Sequence, residues 1–194
     1  MNSSINNELK KHGVYHIMKV MWGRLVFCLC LAVIISACGC VDKKNVPESI
    51  NNGDVKVFFT PSTDCEKNII KAIDKAEKMD IAVYSITNPA ITNSLIAAHN
   101  RGATIRIVTD RTQAKGKGSL VSKIKAAGIP VLTNHKHKIE HNKFAVFDDV
   151  HIVSGSYNWT TNASKYNSEN CIFFDQQNKE FTHRFEYLWD LYSE

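Results

Sequence analysis

No apolar run in this 194-residue chain is long enough to cross a bilayer as a helix. The longest, Leu25 to Ala37 (LVFCLCLAVIISA), falls short of the ~20 residues a spanning helix needs. The chain also lacks any CxxC pair and any His/Cys ligand spacing, which excludes a structural zinc site. It carries no internal repeat, which sets solenoid architectures aside. It has no large excess of one charge. The formal net charge is +5, and residues 1–37 contribute Lys10, Lys11, Lys19 and Arg24 against Glu8, so the remainder stands at +5 − 3 = +2. A charge this small identifies no partner, and local clusters must carry that argument. With 44% apolar and 22% charged residues, the fibrous and disordered classes are excluded too.

What is present begins with a targeting segment. Lys19 and Arg24 precede the Leu25–Ala37 run, which has the length of a signal-peptide core. It ends in Ile35-Ser36-Ala37-Cys38, which resembles the bacterial lipobox, with Cys38 the lipidated new N-terminus. A plain secretory signal or a weak anchor is the alternative. Met18, just before Lys19, is a second possible start. On this reading the chain is an exported, membrane-anchored lipoprotein on the periplasmic or cell-surface side. Residues 1–37 form the signal peptide, 38–54 a tether with Pro47 and Gly53, and 55–194 the catalytic domain. Cys40, Cys65 and Cys171 then remain; export permits a Cys65–Cys171 disulfide, but two unpaired, partly buried thiols are the default.

Strand and helix patterns alternate from Val55. Val55–Phe59, Asp80–Ile86 and Thr104–Thr109 read as strands. Between them a helix follows Thr63-Asp64, and another runs from Asn88-Pro89 to Gly102. A Lys/Gly-rich loop (Ala114 to Gly118) leads to a helix from Ser119 to Gly128 and a short strand at Ile129–Leu132. Three successive βα units predict an α/β fold with a mixed, mostly parallel sheet of six to eight strands, flanked by helices on both faces. Phe144–Phe147 and His151–Ser154 predict a hairpin through Asp148-Asp149-Val150, Asn170–Phe174 a further strand, and Asn178 to Tyr192 a closing amphipathic helix.

The chemistry concentrates after that point. His141 and Lys143 stand two apart at the mouth of an apolar strand, so their side chains share a face. A nucleophile beside a fixed positive charge suits phosphoryl transfer, where one group attacks phosphorus and another holds the non-bridging oxygens. Gly155 permits a tight turn, and Ser156 and Asn158 supply neutral hydrogen-bonding groups. Glu169 opens the next strand; a carboxylate on one imidazole nitrogen fixes the tautomer and activates the other.

His141-x-Lys143-x4-Asp148, six residues, then Gly155-Ser156, with Asn158 and Glu169 beyond, resembles the HKD signature of the phospholipase D superfamily without departure in spacing. Seven such positions, each near ~5% by average usage, coincide by chance less than once in ~10⁶ chains. The resemblance covers Val55 to the C-terminus. AVYSIT (82–87), IRIVTD (105–110) and AGIPV (127–131) are most similar to the small bacterial Nuc-type endonucleases. It implies His141 as nucleophile through a phosphohistidine, Lys143 and Asn158 on phosphate oxygens, Ser156 in support, and Glu169 orienting His141. Asp148, a strand-length from His141, is structural. The resemblance implies no metal and no cofactor. It also implies a homodimer, because the chain has one motif where the chemistry needs two histidines.

The basic run His135-Lys136-His137-Lys138 is either a polyanion path or a solvated loop. Lys115, Lys117, Lys123 and Lys125 read as helix surface, Tyr157 and Trp159 as packing, and Ser85 and Thr87 as a weak pointer to the site. The leading expectation is a nuclease of low specificity on DNA or RNA. The alternative is a phospholipase D or cardiolipin hydrolase on phospholipid, and the third is a phosphate-binding module without turnover.

Overall fold

The computed structural model describes residues 50–52 and 55–194. The leader, its start, Cys38 and Cys40 lie outside them. No helix among the described residues is long and apolar enough to cross a membrane. In chain order the elements are β1 (Ile50–Asn52), β2 (Val55–Phe59), α1 (Asp64–Lys75), β3 (Lys78–Val83), α2 (Pro89–Asn100), β4 (Thr104–Thr109), α3 (Arg111–Lys115), α4 (Val121–Ala126), β5 (Val131–Thr133), β6 (Lys143–Phe147), β7 (His151–Gly155), α5 (Thr161–Lys165), β8 (Asn170–Phe174) and α6 (Lys179–Ser193).

The strands form one sheet in the order β1-β2-β8-β7-β6-β3-β4-β5. The mixed α/β class holds, but the balance within it differs from the sequence reading. Only β3–β4 and β4–β5 pair in parallel; the other five pairings are antiparallel. The βα pattern is real, and β2 to β5 do run in one direction. What the pattern could not reveal is that β6, β7 and β8 insert between β2 and β3. Within the segment read as a tether, Ile50–Asn52 pairs with β2, Asn52 opposite Val55, and the rest of it lies outside the described residues. An edge strand offers unpaired backbone groups to any neighbour, and pairing of this kind needs no apolar periodicity in the added segment.

Strand alternation divides the core into two layers. Ile81, Val83, Ile105, Ile107, Ala145, Phe147 and Val153 face α1, α2 and α4. Ala82, Val108, Phe144, Val146 and Ile152 face α6, which contributes Phe185, Leu188 and Tyr192. Phe185 and Leu188 are fully buried, each stabilising the layer by roughly 1.5–3 kcal/mol. At the start of α2, Asn88 accepts from the backbone N–H groups of Ala90 and Ile91, with Pro89 in the first turn. Two short helices, α3 and α5, were not legible in the sequence, because each is a single turn or so without an apolar stripe. The first layer also contains a Cys65–Cys171 disulfide, Cα to Cα 5.9 Å, joining α1 to β8 across 106 residues. The default of two free thiols is thereby corrected: tertiary packing brings together two cysteines that sequence spacing could not relate.

Candidate active site

The antiparallel half of the sheet assembles the motif. Lys143 lies opposite Val83 of β3. Phe144 pairs with Ser154, and Gly155 with Cys171, so the first residue of β6, the last of β7 and the first of β8 meet at one end of the sheet. That end gathers His141, Lys143, Gly155, Ser156 and Glu169. His141 itself precedes the strand and is exposed, open to an incoming phosphate.

Tyr84, just past β3, is the surface on which the pair is organised. The His141 ring sits edge-on to it at 4.6 Å between centroids, and the Lys143 ammonium lies 5.0 Å from its centroid. The same ammonium donates to the His141 carbonyl at 2.7 Å. Burial lowers the Lys143 pKa; the charges of Glu169 and Glu140 oppose that shift without cancelling it. Among the described residues no carboxylate lies within ion-pair distance of Lys143, so its charge is free for an anion.

Gly155 cannot be replaced. Its φ is +145°, and a Cβ there would lie 2.4 Å from the Asn170 carbonyl oxygen. This close approach lets Ser156 lock onto β8: its N–H donates to Asn170 O at 3.2 Å, and its Oγ accepts from Asn170 N at 3.0 Å. The Ser156 hydroxyl proton is still available to a phosphate oxygen. The Asn158 side-chain oxygen is buried without a hydrogen-bond partner among the described residues; being an acceptor, it cannot itself hold a phosphate oxygen, a role open only to the NH2 of that amide.

Two placements differ from expectation or refine it. Glu169 accepts from Asn167 Nδ2 at 3.0 Å, and among the described residues no hydrogen bond reaches the His141 ring. The tautomer-fixing contact from Glu169 is therefore not made here; the ring packs on Tyr84 instead, and the carboxylate acts through its charge on Lys143. Asp148 sits at the opposite end of β6, at the tip of the β6–β7 hairpin with φ 51°. Its carboxylate accepts from the backbone N–H groups of Glu77 and Lys78, each at 2.9 Å, stitching the hairpin to β3.

A cavity of about 310 Å³ opens beside His141 and Lys143, with Phe144, Gly155, Glu180, Phe181 and Arg184 also in its wall. Among the described residues no three His, Cys, Asp or Glu side chains are gathered as a metal site would require.

A model of the family described as "Cardiolipin synthase, PLD-like domain" matches residues 69–189. The chain belongs to the phospholipase D superfamily. Phospholipase D of Rickettsia conorii is 36% identical over 134 residues, 69% of this chain and 66% of that protein. Mitochondrial cardiolipin hydrolase of Chlamydomonas reinhardtii is 35% identical over 116 residues, 59% of this chain and 52% of that protein. The chain thus spans about half to two thirds of the length of these curated relatives. Among solved structures, Nuc, a phospholipase D family member from Salmonella typhimurium, superposes with a TM-score of 0.67 at 31% identity, covering 71% of this chain and 94% of that one. NucT from Helicobacter pylori has the same fold, with a TM-score of 0.62 at 24% identity over 71% of this chain and 94% of that one.

Within this superfamily fold, sequence reading found the motif and missed its support. Tyr84 stands in the AVYSIT stretch, where the sequence points only to Ser85 and Thr87; an aromatic at the end of a buried strand is the available signal. Tyr157 and Trp159 are buried, in keeping with packing. Of the basic run, His137 bonds through Nδ1 to the Tyr192 hydroxyl, while Lys136 and Lys138 are exposed.

Proposed function

We propose that this chain is a phosphodiesterase working through a covalent phosphohistidine and needing no divalent cation. The observation that supports it most is the convergence of exposed His141 and half-buried Lys143 on Tyr84, with Gly155 in the wall of the same cavity and Ser156 next along the chain. An imidazole nitrogen of His141 attacks phosphorus. The P–O bond to the leaving alkoxide breaks, and a second histidine supplies that oxygen with a proton. The same second histidine then takes a proton from water, which attacks phosphorus and breaks the P–N bond. Lys143 and Asn158 hold the non-bridging oxygens throughout. One motif supplies one histidine, so the working unit is a homodimer in which His141 of a second copy acts as acid and base.

For substrate we favour a nucleic-acid backbone. Arg111, Lys115 and Lys117 are exposed where α3 begins and ends, and Gln113 of α3 donates to the Tyr84 hydroxyl at 3.0 Å, which sets this basic segment beside the site. Contacts of this kind read phosphate and not sequence. Phospholipid is the second reading, favoured by the names of the Rickettsia and Chlamydomonas relatives and by the lipobox-like leader. Export as a lipoprotein anchored through Cys38 belongs to the same proposal, and the Cys65–Cys171 disulfide supports an oxidising compartment.

The decisive experiment runs plasmid nicking beside hydrolysis of phosphatidylcholine and cardiolipin vesicles, all in EDTA. Nicking without lipid hydrolysis is expected. Lipid hydrolysis alone transfers the proposal to the second reading. Activity abolished by EDTA and restored by Mg²⁺ rejects the mechanism. Mixing wild type with His141→Asn subunits tests the shared site: a heterodimer should lose ~10²–10⁴-fold of turnover, and one keeping half of wild-type turnover rejects it.

A further inference from the structure

Behind His141 lies a buried carboxylate that the mechanism above does not use. Glu140 is 2% exposed, and among the described residues it has no Lys, Arg or His within ion-pair distance. Its Oε1 accepts from both the backbone N–H of Asn142, at 3.1 Å, and the Asn142 side-chain amide, at 2.6 Å. Its Oε2 accepts from the hydroxyl of Tyr192, in the last turn of α6, at 3.0 Å. Its own N–H donates to Asp110 Oδ2 at 3.2 Å, an oxygen that also accepts from Asn134 Nδ2 at 2.9 Å. The two residues flanking His141 are therefore clamped by one side chain. Asn142 in turn accepts from Tyr84 N at 2.9 Å, and so ties that clamp to the ring under His141.

We propose that Glu140 is a positioning residue for the reaction: held from behind by Tyr192, it fixes the backbone on both sides of His141, and its buried carboxylate supplies negative charge behind the reacting pair. This rests on the reading of His141 and Lys143 as the reacting pair. A buried carboxylate costs several kcal/mol of desolvation unless it is hydrogen-bonded. Glu140 is bonded on both oxygens, yet among the described residues no cation lies within ion-pair distance of it, so its field reaches Lys143, three residues along the chain. The groups facing Lys143 are Glu140 from the preceding loop, Glu169 from the start of β8, the Tyr84 ring, His141, and Glu180 and Arg184 of α6 in the shared cavity wall. Of these, Glu140 and Glu169 raise the lysine pKa against the lowering by burial.

The test compares Glu140→Gln and Tyr192→Phe in the full chain. Glu140→Gln keeps the shape and the acceptor for Asn142 but removes the charge. It should lower kcat about 10- to 100-fold with KM near wild type, and shift the alkaline limb of the pH–rate profile to lower pH. Tyr192→Phe keeps the charge; it should lower kcat by less and leave that limb in place. A role confined to stability would lower Tm and move neither kcat per folded molecule nor the limb. Wild-type kcat and an unmoved limb in folded Glu140→Gln overturn the proposal; if that variant does not fold, wild-type kcat in Tyr192→Phe overturns it. Failure of the phosphodiesterase reading itself is distinguished by NMR titration of ¹³Cε-labelled lysine, with Lys143→Arg assigning the signal. A lower Lys143 pKa in Glu140→Gln supports the charge-sustaining role without any turnover, and an unchanged pKa overturns it.

Discussion

Arg106 in β4 and Lys143 in β6 are both partly buried cations on the same sheet, and the fold uses them in opposite ways. Arg106 donates two hydrogen bonds to Asp80, at 2.7 and 2.9 Å, and two to Glu186 of α6, at 3.0 and 2.6 Å. Its guanidinium also lies over the rings of Phe185 and Trp189, at 4.9 and 5.3 Å. Its hydrogen bonds to Glu186 and Asp80 hold its pKa well above the ordinary arginine value. Lys143 has no carboxylate within ion-pair distance among the described residues, and burial pulls its pKa down. A cation with four of its five N–H donors on carboxylates ties elements together. One that is desolvated and unpaired is destabilised until an anion arrives, which is the condition of a phosphate-binding group.

The contrast can be broken most sharply at Lys143. Lys143→Ala should cost ~10²–10³-fold in kcat/KM while leaving Tm unchanged or slightly raised, since a partly desolvated, unpaired charge is removed. Steady-state kinetics beside a thermal melt checks this; a lower Tm with near-normal turnover would show Lys143 to be structural. Arg106→Met should do the reverse. Asp80, 1% exposed, loses its hydrogen-bonded partner and keeps only Lys78 at 3.9 Å, and stability should fall by about 2–3 kcal/mol, less than the ~3–5 of a fully buried pair because Glu186 reaches solvent. Turnover per folded molecule should hold, measured by urea unfolding and active-site-normalised rates.

The smallest effect is in the pH dependence. Arg106 lowers the Glu186 pKa below its ordinary 4.5, first by hydrogen bonding and then by charge. A carboxyl depressed in the folded state stabilises above its unfolded pKa, and that contribution is lost as pH falls through the folded value. Wild type should therefore lose this stability on acidification below about pH 4.5, and Glu186→Gln should show a flatter acid limb in Tm. For Lys143 the sign concerns activity: turnover needs the charged form and should fall as pH rises through a pKa below the ordinary lysine value of 10.5. Lys143→Arg, if it retains any turnover, should lose that alkaline limb altogether.

These two cations also mark how far the sequence could be read. His141, Lys143, Gly155, Ser156, Asn158 and Glu169 lie within one stretch of chain at the spacing of a known signature, so the motif was legible without any structure. Tyr84, Glu140 and Tyr192 were not, because each acquires its role from a partner far along the chain: Glu140 and Tyr192 stand 52 residues apart. Arg106 gave no signal at all, since IRIVTD reads as strand whether or not two carboxylates await its arginine.

Residue type and periodicity alone determined the α/β class, most element boundaries and the His-x-Lys chemistry. These depend on local backbone preference, side-chain alternation and spacing along one strand, all short-range properties. Tertiary structure decided the rest. It inserted β6, β7 and β8 between β2 and β3, making most pairings antiparallel, and it brought Cys65 to Cys171. It left Glu169 bonded to Asn167 and not to His141, and it left Lys143 unpaired while Arg106 bonds two carboxylates. Strand order and charge pairing are set by which distant segments bury their apolar faces together, and neither is written in the spacing of any one of them.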